Sequence, residues 1–203
     1  MNILRTSTEA PIENLQFHPL TADHIDDFTD LFGPGGACYG CWCTYFRLPP
    51  KLRQAMNGDA KRDHMLTRIA AGPPPGLLAY DGAQPIGWMQ IGPRADIPQW
   101  NNPNRSSTPL PDAPADDPGV WAVSCFFFRS KARGRGLSTA MLNAGIAHAR
   151  ANGARMIEAS PMDHAKQSKS VGLFVGSTST FLRAGFAEVA CRKEGRPLLR
   201  LML

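Results

Sequence analysis

The sequence predicts a mixed α/β domain, and three observations lead to that prediction. The β-favouring run Val120 to Phe128 is followed by a glycine-containing turn and then by apolar residues at helical spacing. Earlier in the chain, two short apolar runs flank Asp81-Gly82, which is a strong hairpin signal. The chain has 203 residues and a mass of 22.1 kDa, which is enough for one well-buried core.

The first half of the chain is predicted to hold one strand and two helices before the hairpin. Apolar residues at helical spacing within 25–32 predict a first amphipathic helix, which Gly33-Pro34-Gly35-Gly36 stops. Pro50 suits the first position of a helix, and Gly72 suits a position just past a helix end. These two signals predict a second helix over residues 50–71.

The second half of the chain is predicted to alternate between strands and helices. Helices are expected over 136–153 and 176–184. The strands expected along the whole chain are 16–20, 76–80, 85–91, 120–128, 156–160, 187–192 and 197–202. Residues 93–118 hold seven prolines and show no periodicity, so they are predicted to form a long loop between two strands. Residues 1–15 are predicted to be an N-terminal leader, and residues 16–203 a single domain.

Composition and charge exclude several classes of protein. The formal net charge is +5, but the basic residues are scattered, so no nucleic-acid partner is expected. The sequence has no run of about 20 apolar residues and no apolar signal peptide, so no membrane partner is expected and a cytoplasmic location is predicted. Five cysteines, an odd number, argue against a disulfide framework.

The segment Arg133-Gly134-Arg135-Gly136-Leu137-Ser138 is the most informative part of the sequence, because it joins a buried strand to an amphipathic helix. A helix N-terminus offers unpaired N–H groups, glycines let the backbone approach an anion, and arginines add charge-assisted contacts. A pyrophosphate suits this arrangement. The Gly-Lys-Ser/Thr ending of a P-loop is absent, and so is the three-glycine spacing of a Rossmann fold.

This segment resembles the acetyl-CoA motif of the GCN5-related N-acetyltransferase (GNAT) superfamily, Gln/Arg-x-x-Gly-x-Gly/Ala. Arg133 fills the first place, Gly136 the fourth and Ser138 the sixth, where Gly or Ala is usual. Ala184-Gly185-Phe186 is similar to the superfamily's usual helix end. The element order is similar as well. The resemblance implies a central, mostly antiparallel sheet that is splayed at strands 4 and 5 and flanked by helices.

The resemblance also implies acetyl-CoA as cosubstrate, with no metal. Main-chain groups at the end of the fourth strand would contact the pantetheine arm, and the turn would hold the pyrophosphate through its N–H groups. The residues assigned to cofactor binding in this way are Phe126, Phe127, Phe128, Arg133, Gly134, Arg135, Gly136, Leu137 and Ser138.

The proton chemistry is less well defined by the sequence. Many relatives use a Tyr as the acid, and that position is Phe181 here, so a nearby hydroxyl such as Ser177 is a substitute, with helix capping as the alternative. Glu158, a lone carboxylate in a strand beside the expected splay, is the first candidate for the base, because burial would raise its pKa. A solvent-facing Glu158 is the alternative, and Asp163 and His164 are second choices.

The connector between the first two helices contains Cys38, Cys41 and Cys43 among aromatic residues. Three thiols suggest zinc, but no paired ligand cluster follows at a suitable spacing. The simpler interpretation is that the cysteines are small side chains that pack in a tight, partly buried loop. The corresponding segment borders the acceptor site in the superfamily. The substrate-binding residues predicted here are Trp42, Tyr45 and Arg47, with Arg47 able to pair a carboxylate or to stack on an aromatic ring.

The expected function is transfer of the acetyl group of acetyl-CoA to a primary amine of a small molecule by direct attack. Cys125 lies near the expected site, but it has no identifiable His partner, so a covalent enzyme intermediate is not expected. The alternatives are acetylation of protein N-termini or lysines, and an acyl-CoA sensor without turnover. Dimers are common in similar proteins, so a homodimer is included among the expected partners.

Overall fold

The structure is a computed structural model that describes residues 12, 14–163 and 173–203. Seven strands form one sheet in the order β1-β2-β3-β4-β5-β7-β6. Neighbouring strands are antiparallel except β4 and β5, which are parallel. The strands are β1 (Leu15–Pro19), β2 (Gly76–Asp81), β3 (Gln84–Pro93), β4 (Val120–Phe128), β5 (Met156–Ala159), β6 (Ala187–Ala190) and β7 (Leu198–Met202). The predicted fold class is confirmed.

The helices cover both faces of this sheet. They are α1 (Ile25–Phe32), α2 (Pro50–Ala55), α3 (Gly58–Ala71), α4 (Leu137–Ala151) and α5 (Thr178–Arg183). Buried residues of α1 and α3 cluster with Trp88 of β3, while those of α4 and α5 cluster with Met89, the next residue of the same strand. Successive residues of a strand point to opposite faces, so β3 is buried on both faces along most of its length and is largely apolar.

The prediction of a single helix over 50–71 is wrong, because the structure contains two helices there. Met56 ends α2 in an extended conformation, with φ −83° and ψ 134°. Asn57 then caps α3 by accepting a 2.8 Å hydrogen bond from the N–H of Ala60. Asn and Gly are typical of a new helix start, so Asn57-Gly58 is the sequence signal that the periodicity argument overlooked.

The long loop between β3 and β4 is ordered against the sheet. It contains short 3-10 turns at Arg94–Asp96 and Pro98–Asn101, and Trp100 is 1% exposed. The buried indole joins an apolar cluster with Ala122 of β4, which fixes the loop close to the point where β4 and β5 diverge. None of the helices in the described part of the chain is long and apolar enough to cross a bilayer.

Candidate active site

The turn between β4 and α4, residues Arg133–Ser138, has the backbone that its glycines predict; we call it the glycine turn. Gly134 has φ +79° and Gly136 has φ +78°, a left-handed region that glycine enters without a steric cost. A Cβ atom added at either glycine would meet no atom within 4 Å, so the turn faces open space.

The start of α4 supplies hydrogen-bond donors to this open space. The first bonds to the carbonyl of Gly136 come from the N–H groups of Thr139 and Ala140, at 3.1 and 3.2 Å. The N–H groups of Leu137 and Ser138 therefore precede the hydrogen-bond ladder of α4, and the positive end of the helix dipole lies beside them. This geometry suits an anion.

A cavity of about 620 Å³ borders the same turn. Its wall includes Phe128 at the end of β4 and four basic residues, Arg129, Lys131, Arg133 and Arg135. The Nε of Arg133 donates to the carbonyl of Phe128 at 3.1 Å, which holds this guanidinium against the end of the strand. The cavity is therefore electropositive on the side of the glycine turn.

The strands β4 and β5 separate in the middle of β4. Their pairing begins at Val120 with Met156 and ends at Val123 with Ala159, whereas β4 continues to Phe128. The register of β4 with β3 also shifts at this point, which leaves Ser124 as the extra residue of a β-bulge. The splay implied by the sequence resemblance is thus present, and the edge of β4 facing β5 is free of β5 beyond Val123.

The three phenylalanines at the end of β4 have side chains on opposite faces of the sheet. Phe126 is 5% exposed, with its ring centroid 6.2 Å from that of Phe181. Phe127 stacks on Phe32 of α1 with a centroid distance of 4.7 Å. Phe126 is a core residue, whereas Phe127 and Phe128 are half-buried and border the cavity. The main-chain contacts to a cofactor at these three residues stay a prediction.

Ser124 is a candidate that the sequence analysis did not single out. It is 1% exposed, and its Oγ has no hydrogen-bond partner among the described residues. A buried hydroxyl without a partner is uncommon in folded proteins, and here it lies at the bulge where the splay begins. The sequence did contain a signal, because Ser124 is the one hydroxyl residue in the apolar run Val120 to Phe128.

Glu158, the predicted base, lies at the centre of a buried network of ion pairs. It is 0% exposed, so the alternative of a solvent-facing side chain is wrong. Oε2 accepts from Arg94, and Oε1 accepts from Nε and Nη2 of Arg200 at 3.0 and 2.7 Å. Arg200 also pairs with Asp112 of the long loop, at 2.6 Å. We call Arg94, Asp112, Glu158 and Arg200 the Glu158 network.

This network gives Glu158 a structural role. Arg94 is itself 0% exposed; it donates to the carbonyl of Ser107 and lies 4.7 Å from the ring centroid of Trp100. Both carboxylate oxygens thus accept from guanidinium groups that also hold the long loop. The base role stays a prediction. Asp163 is exposed just beyond β5, and His164 lies outside the described residues.

Ser177, the predicted acid, caps α5. Its Oγ accepts from the N–H of Thr180 at 3.3 Å and lies 2.8 Å from the hydroxyl of the same residue. Phe181, at the position where relatives have Tyr, is 0% exposed. The capping alternative therefore describes the observed contacts of Ser177, and its acid role stays a prediction.

The aromatic connector places its three predicted acceptor residues in different environments. Trp42 is 1% exposed and stacks on Phe32 at 5.4 Å, so it is a core residue rather than part of an open acceptor surface. Tyr45 is 37% exposed. Arg47 is 6% exposed, and its Nη1 pairs with Asp96 at 2.7 Å.

Asp96 joins Arg47 to helix α3. Burial would raise the pKa of Asp96, but hydrogen bonds from Arg68 and the charge of Arg47 hold it below the usual value. The Nε and Nη2 of Arg47 are buried and have no hydrogen-bond partner among the described residues. Arg47 thus keeps donors that a ligand or water would satisfy.

Cys43 lies in the core with a left-handed backbone, φ +59°. Its Sγ receives a hydrogen bond from Nε1 of Trp88 at 3.2 Å and donates to Oε1 of Gln90 at 3.1 Å. A hydrogen bond from Cys125 lowers the pKa of Cys43 against the opposing effect of burial, and the same contact raises the pKa of Cys125. Within 12, 14–163 and 173–203, no three His, Cys, Asp or Glu residues are placed to hold a metal ion.

Comparison with known proteins gives a match to one family model. Residues 42–174 match the model of the acetyltransferase (GNAT) family, which covers well over half of the chain. The match begins in the aromatic connector and includes β4, the glycine turn and β5. No curated protein matches the chain significantly.

Solved structures with the same fold share little sequence with the chain. The GNAT domain of PAT from S. lividans is 20% identical, with a TM-score of 0.53, covering 93% of this chain and 90% of that one. PaiA N-acetyltransferase from Thermoplasma acidophilum, in complex with coenzyme A, is 8% identical, with a TM-score of 0.54. The match covers 93% of this chain and 99% of that one. The yncA protein from Salmonella typhimurium, with acetyl-CoA, is 14% identical, with a TM-score of 0.53. The match covers 94% of this chain and 95% of that one.

Proposed function

Because the chain belongs to the acetyltransferase (GNAT) family, we propose that it transfers the acetyl group of acetyl-CoA to a primary amine of a small molecule. The family places the chain among acetyl-CoA-dependent acyltransferases. The observation that carries the proposal is the open glycine turn at the start of α4, beside the splay of β4 and β5.

The glycine turn fits the diphosphate of the cosubstrate. Gly134 and Gly136 present backbone without side chains to open space, and the N–H groups of Leu137 and Ser138 point out of the first turn of the helix. Arg133 and the other basic residues of the neighbouring cavity add positive charge. The main chain of β4 beyond Val123 is available to an extended group, as a sheet edge is to an added strand.

The reaction joins the amine nitrogen to the carbonyl carbon of the thioester. The carbon–sulfur bond breaks, the sulfur leaves as the coenzyme A thiolate, and the proton lost by the amine balances the proton that the thiolate gains. A main-chain N–H at the bulge around Ser124 is suitably placed to stabilise the oxyanion, since a bulge releases backbone groups from the ladder.

The contacts of Glu158 and Ser177 support structural roles more than proton transfer. We include the unpartnered hydroxyl of Ser124 as a third candidate for relaying a proton at the splay, because it is buried there. Phe181 has no proton to donate, so a sensor that binds acetyl-CoA without turnover is the second candidate function.

The acceptor would enter on the side of the aromatic connector. Tyr45 offers a partly exposed ring, and Arg47 has buried donors without a partner among the described residues. Such a mixture of aromatic surface and a few fixed polar groups is typical of sites for small molecules.

The test uses two glycines of the same helix as a matched pair. Gly136 before α4 and Gly153 after it both have φ +78°, and an added Cβ would meet nothing within 4 Å at either position. Gly136→Ala and Gly153→Ala should each lose about 1–2 kcal/mol of unfolding free energy, because alanine is strained in the left-handed region. In calorimetry, only Gly136→Ala should weaken coenzyme A binding, by about tenfold or more, equivalent to about 1.4 kcal/mol.

Absence of coenzyme A binding by the wild type, or equal affinity of the two variants, would contradict the proposal. Turnover is measured as thiol release from acetyl-CoA with polyamines, amino acids and aminoglycosides. Release with peptides alone would indicate a protein acceptor, and binding without release from any acceptor would indicate a sensor.

A further inference from the structure

Two arginines, Arg53 and Arg105, lie over the exposed ring of Tyr45, and a third, Arg196, lies nearby; we call them the Tyr45 arginine cluster. The guanidinium carbon of Arg53 lies 4.2 Å from the ring centroid, and that of Arg105 lies 5.1 Å from it. Burial and, next, the charge of Arg105 lower the pKa of Arg196, while Tyr45 acts on it in the opposite direction. Arg196 is linked to the same place by contacts: its Nη2 donates to the carbonyl of Ser160, whose hydroxyl lies 2.8 Å from that of Ser106, the residue after Arg105.

The cluster is assembled from separate parts of the chain. Arg53 lies in α2, Arg105 in the loop between β3 and β4, and Arg196 in the turn between β6 and β7. All three side chains are half-buried. Side chains from three distant segments thus place their positive charges near one aromatic ring, although like charges repel one another.

Within 12, 14–163 and 173–203, none of these three arginines forms an ion pair with a carboxylate. Other partly or fully buried arginines do, as Arg47 and Arg68 pair with Asp96. Arg53 and Arg196 donate instead to main-chain carbonyls, at 3.0–3.1 Å. Carbonyls satisfy the hydrogen bonds, but they leave the positive charge uncompensated.

The cluster lies beside the splay. Nη2 of Arg196 donates to the carbonyl of Ser160, and this residue directly follows Ala159, the last residue of β5 that pairs with β4. On its other side, Tyr45 makes an edge contact with the ring of Phe174, at 5.7 Å. The next residue, Val175, belongs to the same apolar cluster as Ala122 of β4.

We propose that the acceptor amine carries an anionic group, a carboxylate or a phosphate, and that Arg105 and Arg196 bind this group beside Tyr45. The inference rests on the proposed function, since it concerns the second substrate of the same reaction. An anion at this point supplies the missing negative charge, and guanidinium groups bind carboxylates and phosphates in a bidentate manner. The same cluster repels cationic amines such as polyamines.

The experiment measures thiol release from acetyl-CoA with matched pairs of amines. O-phosphoethanolamine is compared with ethanolamine, and amino acids are compared with their amides, while spermidine represents cationic acceptors. The anionic member of at least one pair should have a kcat/KM about tenfold or more above its neutral partner, and the pair that shows this distinguishes phosphate from carboxylate. A higher kcat/KM for spermidine or for the neutral members overturns the proposal.

Variants assign the preference to the cluster. Arg105→Gln and Arg196→Gln should each lower kcat/KM for the anionic amine by about tenfold, equivalent to about 1.4 kcal/mol, mainly through the KM of the amine. The kcat/KM for the neutral amine of the pair and the KM of acetyl-CoA should each change less than about twofold. Arg105→Lys and Arg196→Lys keep the charge and should recover part of the loss. Arg150→Gln, at an exposed position in the last turn of α4, is the control for net charge.

Equal losses for anionic and neutral amines overturn the proposal, since they indicate damage to the fold. If no amine in the panel reacts, thermal unfolding with succinate or inorganic phosphate decides. Stabilisation of the wild type and of Arg150→Gln, but not of Arg105→Gln or Arg196→Gln, supports an anion site; no stabilisation of the wild type rejects it. Failure of the proposed function is recognised separately, because it shows as absent coenzyme A binding by the wild type or as equal affinities of Gly136→Ala and Gly153→Ala for coenzyme A.

Discussion

The glycine turn and the Glu158 network differ in where their geometry comes from. In the glycine turn, Gly134 and Gly136 set the backbone themselves, and the donors belong to the helix that follows directly. In the Glu158 network, the carboxylate is held by Arg94 and Arg200, which are 64 and 42 positions away in the chain. The chemistry of a local motif can therefore be predicted from the motif itself, whereas the role of a single side chain such as Glu158 depends on residues that are distant in the chain.

The variant Glu158→Gln should show the largest loss of unfolding free energy. Removing the charge leaves Arg94 buried without its carboxylate, and loss of one partner of a buried ion pair costs about 3–5 kcal/mol. Urea unfolding should show this loss. The variant should keep kcat/KM within a few-fold of the wild type from pH 6 to pH 9, measured below the temperature at which it unfolds.

A pH profile that loses its acidic limb in Glu158→Gln, that is, the fall in kcat/KM as the pH is lowered, would contradict this expectation and would restore Glu158 as the base. Asp112→Asn is the matched control, because Asp112 belongs to the same network but is largely exposed. Asp112→Asn should lower the unfolding free energy far less than Glu158→Gln does, because the carboxylate of Asp112 is exposed to solvent.

Asp96→Asn tests a second cluster whose partners are distant in sequence. The carboxylate of Asp96 pairs with Arg47 and Arg68, so the variant should lose about 2–4 kcal/mol of unfolding free energy at pH 7. The lower part of this range is expected, because Asp96 is partly exposed to solvent. The pKa of Asp96 is lower in the folded state than in the unfolded state. The contribution of Asp96 to the unfolding free energy is therefore complete above its pKa in the unfolded chain, about 3.9, and is lost as the pH falls through its pKa in the folded protein.

The difference in unfolding free energy between the wild type and Asp96→Asn should accordingly be constant from pH 5 to pH 7 and should shrink below about pH 4. Urea titrations at several pH values measure it. A difference that grew on acidification would show that the pairs with Arg47 and Arg68 do not stabilise the folded state.

The smallest expected effect is that of Ser177→Ala. Loss of an N-cap costs about 1 kcal/mol, and Asn57→Ala at the start of α3 is a matched control because it removes an equivalent cap. Both variants should lose similar stability and keep the kcat of the wild type. A drop of tenfold or more in kcat for Ser177→Ala alone would identify Ser177 as the acid. The residue that caps α5 would then also take part in proton transfer.

Most of the fold follows from local patterns in the sequence. Val120–Phe128 is a strand with the predicted bounds, and Gly82, with φ +59°, makes the predicted turn of the first hairpin. The break at Asn57 does not follow from periodicity, because α2 before it and α3 after it carry a similar mixture of polar and apolar residues. The burial of Trp42 was missed because an aromatic residue in a loop fits a pocket wall and a core equally well.

The sequence by itself determined the order of the strands, the glycine turn and the resemblance to the family, because these depend on residues that are neighbours in the chain. The tertiary structure decided the rest. It enclosed Glu158 between two arginines, placed Trp42 in the core and brought Arg53 and Arg105 to the ring of Tyr45. Burial and charge compensation are properties of groups that meet only after folding, so no pattern along the chain specifies them.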